Sequence, residues 1–302
     1  MEARSRWGGA ENGTGELLVC PTPIGNLEDI TLRVLRVLEE VDLIASEDTR
    51  RTRALLTHFG IKSPLVSYHR RNEAERGAEL VKAMLAGQRV ALVSDSGMPG
   101  VSDPGGAMIR LAIEKGVRVT VLPGPTALVP ALVASGLPAG RFAFEGFLPR
   151  RRGARRAYLE GARTEARTLI FFEAPHRLRE SLEDMLAIMG DRKISAAREL
   201  TKVHEEIFRG TVSEALAHFG EKPPRGEFVL VLGPPDEEKP APDLPEPFPG
   251  GAEDNELLRQ VRVLTAEGLS VNDAVRRVAG AHGVKKNRVY ALVLESSGSD
   301  RL

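Results

Sequence analysis

Residues 90–125 read VALVSDSGMPGVSDPGGAMIRLAIEKGVRVTVLPGP, and this stretch decides the fold. Val90–Val93 is an unbroken apolar run, and Val117–Leu122 is a second one dominated by branched side chains. Strands of that composition are covered by helices on both faces, as in parallel sheets. Between them, Gly105–Lys115 supplies a crossover helix. The loop Asp95–Gly106 is dense in glycine and proline, which shape tight turns at strand ends.

The same alternation extends toward the N-terminus. Leu17–Cys20 reads as a buried strand that stops at Pro21-Thr22-Pro23-Ile24-Gly25-Asn26. Ile30–Glu40 spaces Leu32, Leu35 and Leu38 along one helical face; Val41–Ala45 is strand-like, and Arg50–Phe59 is a helix closed by Gly60. A short strand at Leu65–Val66 and a helix over Asn72–Ala86, ended by Gly87, complete the set. Residues 15–125 therefore predict an α/β domain with a mostly parallel sheet. Residues 126–233 are less regular. A helix over Thr126–Ser135 leads to strands near Phe142–Phe144, Thr168–Phe172, Ile194–Ala197 and Glu227–Leu232, with some antiparallel pairing expected. Helices there fall on Ala154–Ala162, Leu178–Met189 and Val212–Phe219.

Gly233–Gly250 holds seven prolines, so residues 234–252 read as a linker. Residues 253–302 then predict three helices, Asp254–Leu264, Val271–Ala281 and Lys285–Leu294, with a weak capping box at Ser270 and Asp273. Either a helix-turn-helix module or a plain three-helix appendage has this pattern. Residues 1–14 read as a flexible tail.

Composition narrows the function. Cys20 is the single cysteine, which excludes an intrachain disulfide and a cysteine-rich metal site, and no metal is expected. Neither a signal peptide nor a membrane span is evident, so a cytoplasmic protein without a membrane partner is expected. Lys+Arg and Asp+Glu are both 42. Zero net charge argues against a uniformly basic nucleic-acid binder but leaves room for local patches.

Three loops, Pro21–Asn26, Asp95–Gly106 and Pro123–Ala127, follow strands that would share one carboxyl edge, where open α/β sheets bind ligands. Each alone reads as an ordinary turn; three together favour a small-cofactor site. No GxGxxG or GxxxxGK[ST] pattern is present, so a dinucleotide loop and a nucleotide P-loop are unsupported. The loop residues proposed to hold the cofactor are Pro23, Gly25, Asp95, Ser96, Gly97, Pro99, Ser102, Asp103, Pro123, Gly124 and Ala127. Separately, Arg141–Arg179 contains ten arginines against four acids, densest at Arg150, Arg151, Arg152, Arg155 and Arg156. A run like this is either a solvated face or a phosphate-binding surface. Lys285 and Lys286 mark a second basic region.

Six segments, taken in order, resemble the successive motifs of one family. They are Pro21–Leu27, Glu47-Asp48-Thr49-Arg50, Ser94–Gly105, Leu122–Pro125, Phe171-Phe172-Glu173-Ala174-Pro175-His176-Arg177 and Arg198-Glu199-Leu200-Thr201-Lys202. The family is the small-subunit rRNA ribose methyltransferase I group, within the tetrapyrrole-methylase-like fold. The resemblance implies an enzyme, a 16S rRNA (cytidine-2'-O-)-methyltransferase, with two α/β domains plus a small helix-turn-helix-like C-terminal domain. It implies a homodimer, S-adenosylmethionine as cofactor, and methylation of a cytidine 2'-hydroxyl in the decoding region of 16S ribosomal RNA, in an assembling or complete small subunit. Ser96 and Met98 depart from the family's usual alanine and threonine.

A ribose hydroxyl needs a base near O2' and an in-line sulfonium methyl. Glu47, Asp48, Glu173 and His176 are the catalytic candidates, with Arg198 and Lys202 as charge partners and His69 and His204 as further bases. Helix capping or ion pairing explains Glu47 and Asp48 equally well. Arg150, Arg151, Arg152, Arg155, Arg156, Arg177, Lys285 and Lys286 are the expected RNA contacts. A tetrapyrrole-precursor methylase and a noncatalytic ribosome-binding protein are the competing readings; labelled methyl transfer separates them.

Overall fold

The computed structural model describes residues 15–220, 226–235, 252–266 and 268–298. The tail expected at 1–14 and most of the linker expected at 234–252 lie outside the described residues.

Strands β1 (Glu16–Val19), β2 (Leu43–Ser46), β3 (Leu65–Ser67), β4 (Arg89–Val93) and β5 (Arg118–Val121) form one sheet ordered β3-β2-β4-β1-β5. Every pairing in it is parallel. Helices α1 (Leu32–Glu40), α2 (Thr49–His58), α3 (Glu73–Leu85) and α4 (Gly106–Glu114) link the strands. Strand residues alternate between faces, and this alternation builds two cores. Leu17, Val19, Val90 and Leu92 join one with Met84 and Met108, while Leu18, Ala91 and Val93 join the other with Val34, Val37 and Ile44. Burying each such leucine or valine contributes roughly 1.5–3 kcal/mol, so continuous apolar runs are what this sheet requires.

One expected boundary moves. Val41 does not begin a strand: it caps α1, its N–H donating to the Val37 carbonyl. Asp42 then accepts the Arg89 N–H at 2.7 Å, and the strand begins only at Leu43.

The second sheet comprises β6 (Phe142–Phe147), β7 (Thr168–Glu173), β8 (Lys193–Arg198), β9 (Glu206–Thr211) and β10 (Phe228–Leu232), ordered β6-β7-β10-β8-β9. Only β6 and β7 are parallel; the other pairs are antiparallel, as the irregular connections suggested. Around it lie α5 (Leu128–Ser135), α6 (Arg152–Gly161), α7 (Leu178–Met189) and α8 (Val212–Gly220). Strand β9 escaped the sequence reading. It is an edge strand, half-buried along its length, and Glu206 and Arg209 interrupt any apolar run. Both sheets belong to one compact unit that extends to residue 236.

The second unit contains α9 (Ala252–Ala266), α10 (Val271–His282) and α11 (Lys286–Gly298). Leu257, Val261, Ala274, Val275, Val278 and Val289 form its core. Ser270 caps α10, its hydroxyl oxygen accepting the Asp273 N–H at 3.2 Å. No helix among the described residues is long and apolar enough to cross a membrane.

Candidate active site at the carboxyl edge of the parallel sheet

All five parallel strands present their carboxyl ends on one edge, so the loops after β1, β4 and β5 meet there. Thr22 and Gly97 exchange backbone hydrogen bonds at 3.0 and 2.9 Å. The buried Thr22 hydroxyl donates to the Ser94 carbonyl, and the buried Ser94 hydroxyl donates to the Gly97 carbonyl, each at 3.0 Å. Gly124, after β5, lies so close to Pro21 that a Cβ would stand 2.4 Å from Pro21 Cγ. Gly25 abuts the loop after β8, where a Cβ would be 2.8 Å from the Leu200 carbonyl oxygen. This revises the reason for these glycines: at positions 25 and 124 the bare backbone is demanded by loop-on-loop packing before any ligand is considered. Thr22 and Ser94, absent from the sequence candidates, are the side chains that fix the loop geometry. Pro99 is buried, whereas Pro123 and Ser96 are exposed. Met98 packs on the core around Leu17 and Met108, so an apolar side chain suits it.

The second sheet closes on this edge. Ile24 and Ala127 pack against Leu132, Leu200 and Val229. A Cβ at Gly146, beside the bulge in β6, would lie 3.6 Å from Ser102 Oγ. Among the described residues, the non-glycines with left-handed backbone are Ser102 (φ 63°), Glu199 (φ 51°) and Thr201 (φ 67°). All three belong to loops that meet here. Such conformations cost on the order of 1–3 kcal/mol each and persist where the surroundings over-determine them.

Four carboxylates, Glu47, Asp95, Asp103 and Glu227, interact at this edge, with Arg51, Arg70 and His69 beside them. Burial, then Glu47, Asp95 and Glu227, push the Asp103 carboxyl up to about 6, with a hydrogen bond from Ser94 opposing them. Burial and Asp95 also raise Glu47, against the pull of Arg70, His69 and Arg51. Asp95 accepts the Asp48 N–H at 2.9 Å, tying the end of β2 to that of β4. Arg70 donates to the Ser102 carbonyl at 3.1 Å. A concavity of about 420 Å³ beside α2 is lined by Thr22, Pro23, Leu27, Arg51, Leu55 and Asp95, a size in the range of small-ligand sites. Glu227 was missed because it stands just before β10, and nothing in sequence links it to Asp103.

Several candidates are corrected. Asp48 is the N-cap of α2: it accepts the Arg50 N–H at 2.9 Å and the Arg50 guanidinium at 3.2 and 3.1 Å. Those bonds hold its carboxyl below the usual range, the wrong direction for a base. Glu173 is fully buried, accepting the Ala174 N–H at 2.9 Å and the Ser181 hydroxyl at 2.6 Å, and no ribose can reach it. Arg177 pairs with Glu173 at 3.5 Å and donates to the Leu148 and Pro149 carbonyls, which leaves it no role as a phosphate ligand. Arg198 pairs with Glu206 across β8 and β9 at 2.5 Å. Lys202 pairs with Glu199 at 2.9 Å, its Cγ pressed toward Gly25. His176 is exposed on the turn after β7.

The arginine run is also sorted. Arg155 is 1% exposed and bonds Asp184 at 2.8 Å and Glu180 at 3.2 Å, so it is structural and cannot touch RNA. Arg152 and Arg156 converge on the same Asp184 at 3.4 and 3.0 Å. Arg150 and Arg151 stay exposed, as do Lys285 and Lys286 in the helical unit. No metal-binding group of histidine, cysteine and carboxylate side chains occurs among the described residues.

A parallel sheet whose carboxyl-edge loops meet an adjoining mixed sheet defines a class of fold, which comparison with known proteins identifies. Residues 16–216 match the family described as Tetrapyrrole (Corrin/Porphyrin) Methylases. Residues 251–297 match the RsmI C-terminal HTH domain. The crystal structure of uroporphyrin-III-C-methyltransferase from Thermus thermophilus is 26% identical, with a TM-score of 0.50, covering 72% of this chain and 94% of that one. The fold is thus that of an S-adenosylmethionine-dependent methyltransferase. Ribosomal RNA small subunit methyltransferase I of Escherichia coli O157:H7 is 46% identical over 96% of this chain and 98% of its own length. Its counterpart in Thermotoga maritima is 50% identical over 72% of this chain and 98% of its own length. The chain belongs to the ribosomal RNA small subunit methyltransferase I family.

Proposed function

We propose that this enzyme methylates the ribose 2'-hydroxyl of a cytidine in the decoding region of 16S ribosomal RNA. The carrying observation is the end-to-end correspondence with the ribosomal RNA small subunit methyltransferase I of Escherichia coli O157:H7, which reaches 96% of this chain.

S-adenosylmethionine, when bound, supplies an electrophilic methyl on a sulfonium. The chain's own residues then have three tasks. Pro23, Gly25, Gly97, Pro99, Ser102, Pro123, Gly124 and Ala127 shape the cradle, and Ser96 offers exposed backbone beside it. Asp95 and Asp103 oppose the cofactor's positive charge. Burial first, then the neighbouring carboxylates, raise Asp103, and a bound cation would relieve that repulsion. Glu47, under the influence of Asp95, Arg70 and His69, accepts the hydroxyl proton in this reading, and its raised affinity for a proton supports that role.

The enzyme works in the cytoplasm as a homodimer on assembling or complete small subunits. In support of the dimer, Val121 on the edge strand β5 and Val129 and Val133 on α5 are left exposed, the kind of apolar surface that a second copy covers. Incubation with methyl-labelled S-adenosylmethionine and small ribosomal subunits should label 16S rRNA, and nucleoside digestion should yield 2'-O-methylcytidine. Label in a tetrapyrrole precursor with none in rRNA rejects the reading.

A further inference from the structure

Of five clustered arginines, three pair with an acid on the next helix: Arg155 is buried there, while Arg152 and Arg156 reach it from the surface. Arg152, Arg155 and Arg156 fasten the first turns of α6 to Asp184 on α7, and Arg155 also binds Glu180. The chain just before them is pinned as firmly. One Arg177 nitrogen, Nη2, donates to the Leu148 carbonyl at 2.7 Å and the Pro149 carbonyl at 3.1 Å. Arg177 is in turn held by the buried Glu173, which Ser181 and the Ala174 amide anchor. Between the two pinned points stand Arg150 and Arg151. Both are exposed, and neither side chain has a hydrogen-bond or ion-pair partner among the described residues.

We propose that Arg150 and Arg151 form a pre-set cationic finger that grips the phosphate backbone of the RNA substrate, and that Arg177 is its positioning residue. The proposal rests on the RNA reading above. Three features favour a polyanion over a single small anion. Arg151 has extended backbone (φ −77°, ψ 127°), so adjacent side chains diverge and reach different phosphates rather than converge on one. The first turn of α6 carries no side-chain cap, leaving amides that favour negative charge. The finger also begins just after β6, at Arg150, four residues beyond Gly146, which neighbours Ser102 of the cofactor edge. A loop fixed at both ends loses little further backbone freedom on binding, so the ordering cost is confined to the two side chains.

The test is equilibrium binding of the full chain to a decoding-region 16S rRNA fragment across a salt series, with S-adenosylmethionine affinity measured in parallel. The double variant R150E/R151E should bind RNA at least about tenfold more weakly at moderate salt and lose roughly 1.4 from the log–log salt slope, two contacts at ~0.7 each for single strands. R156A should keep the wild-type slope, since Arg156 is committed to Asp184. R177K should weaken RNA binding and raise KM for RNA with kcat unchanged. It should retain the full salt slope, because both finger charges persist without their brace. E173Q, which keeps the hydrogen-bonding shape, supplies a milder version if R177K folds poorly, with cofactor affinity confirming the fold. Wild-type affinity and slope in R150E/R151E would overturn the finger. Unchanged RNA binding in both R177K and E173Q would overturn the positioning role. Failure of wild-type enzyme to methylate rRNA strikes the proposed function instead, while the binding series still judges the finger.

Discussion

At Asp103, burial and three neighbouring carboxylates act in the same direction, raising the carboxyl from 3.8 to about 6. The folded state therefore binds this proton more tightly than the unfolded chain. The resulting stabilisation is complete below pH 3.8 and is lost as pH rises through about 6. D103N, which mimics the neutral acid, should be near neutral at pH 4 and stabilising by about 1–2 kcal/mol at pH 8, after discounting for solvent screening. Urea unfolding at the two pH values checks this; equal effects at both would reject it. A bound cation should lower the same pKa, so S-adenosylmethionine binding near pH 6 should release protons, measurable by calorimetry in buffers of different ionisation enthalpy. Proton uptake would contradict a carboxylate-lined cofactor site. At this scale the sequence was partly legible. Asp103 stood out in its loop, but Glu227 joins it only through the approach of β10, and Glu173 resembled a catalytic acid because residue identity carries no burial.

Elements were more legible than their contacts. The parallel strands announce themselves because burial on both faces demands the apolar runs seen at Leu17–Val19 and Val90–Val93. Strand β9 does not, because one edge faces no neighbouring strand and its pattern is mixed. Helix α6 is the instructive case. Its arginines read as a ligand surface, yet Asp184, more than two dozen residues away, collects three of them. Asp184 is 1% exposed; burial pushes its carboxyl up, but the hydrogen bonds from these guanidiniums together outweigh that and hold it below the usual range. D184A would strand the buried Arg155 with only Glu180 and release α6 from α7. Removing one partner of a buried pair costs about 3–5 kcal/mol, and chemical denaturation of D184A should show a loss of that size. A loss within 0.5 kcal/mol, the range of ordinary surface changes, would mean that α6 is held by its apolar face alone, through Leu159.

For the whole molecule, the chain divides into two units, each with its own core. The cores around both sheets lie within residues 15–235, and the helical unit has its own around Val261 and Val278. The Thermotoga maritima relative is 98% accounted for by 72% of this chain, so it has nothing to match the remainder. A chain ending at Asp236 should fold, bind S-adenosylmethionine with unchanged affinity and methylate small subunits with a kcat close to that of the full chain. Its KM for the subunit should rise, and the salt slope of RNA binding should fall by about 1.4 if Lys285 and Lys286 each meet a phosphate. This separates two roles for the helical unit. A raised KM at constant kcat makes it a tether that increases the local concentration of RNA at the sheet edge. A collapse of kcat with cofactor binding intact would mean instead that the helical unit takes part in the transfer step, and the two-sheet edge would no longer suffice as the site.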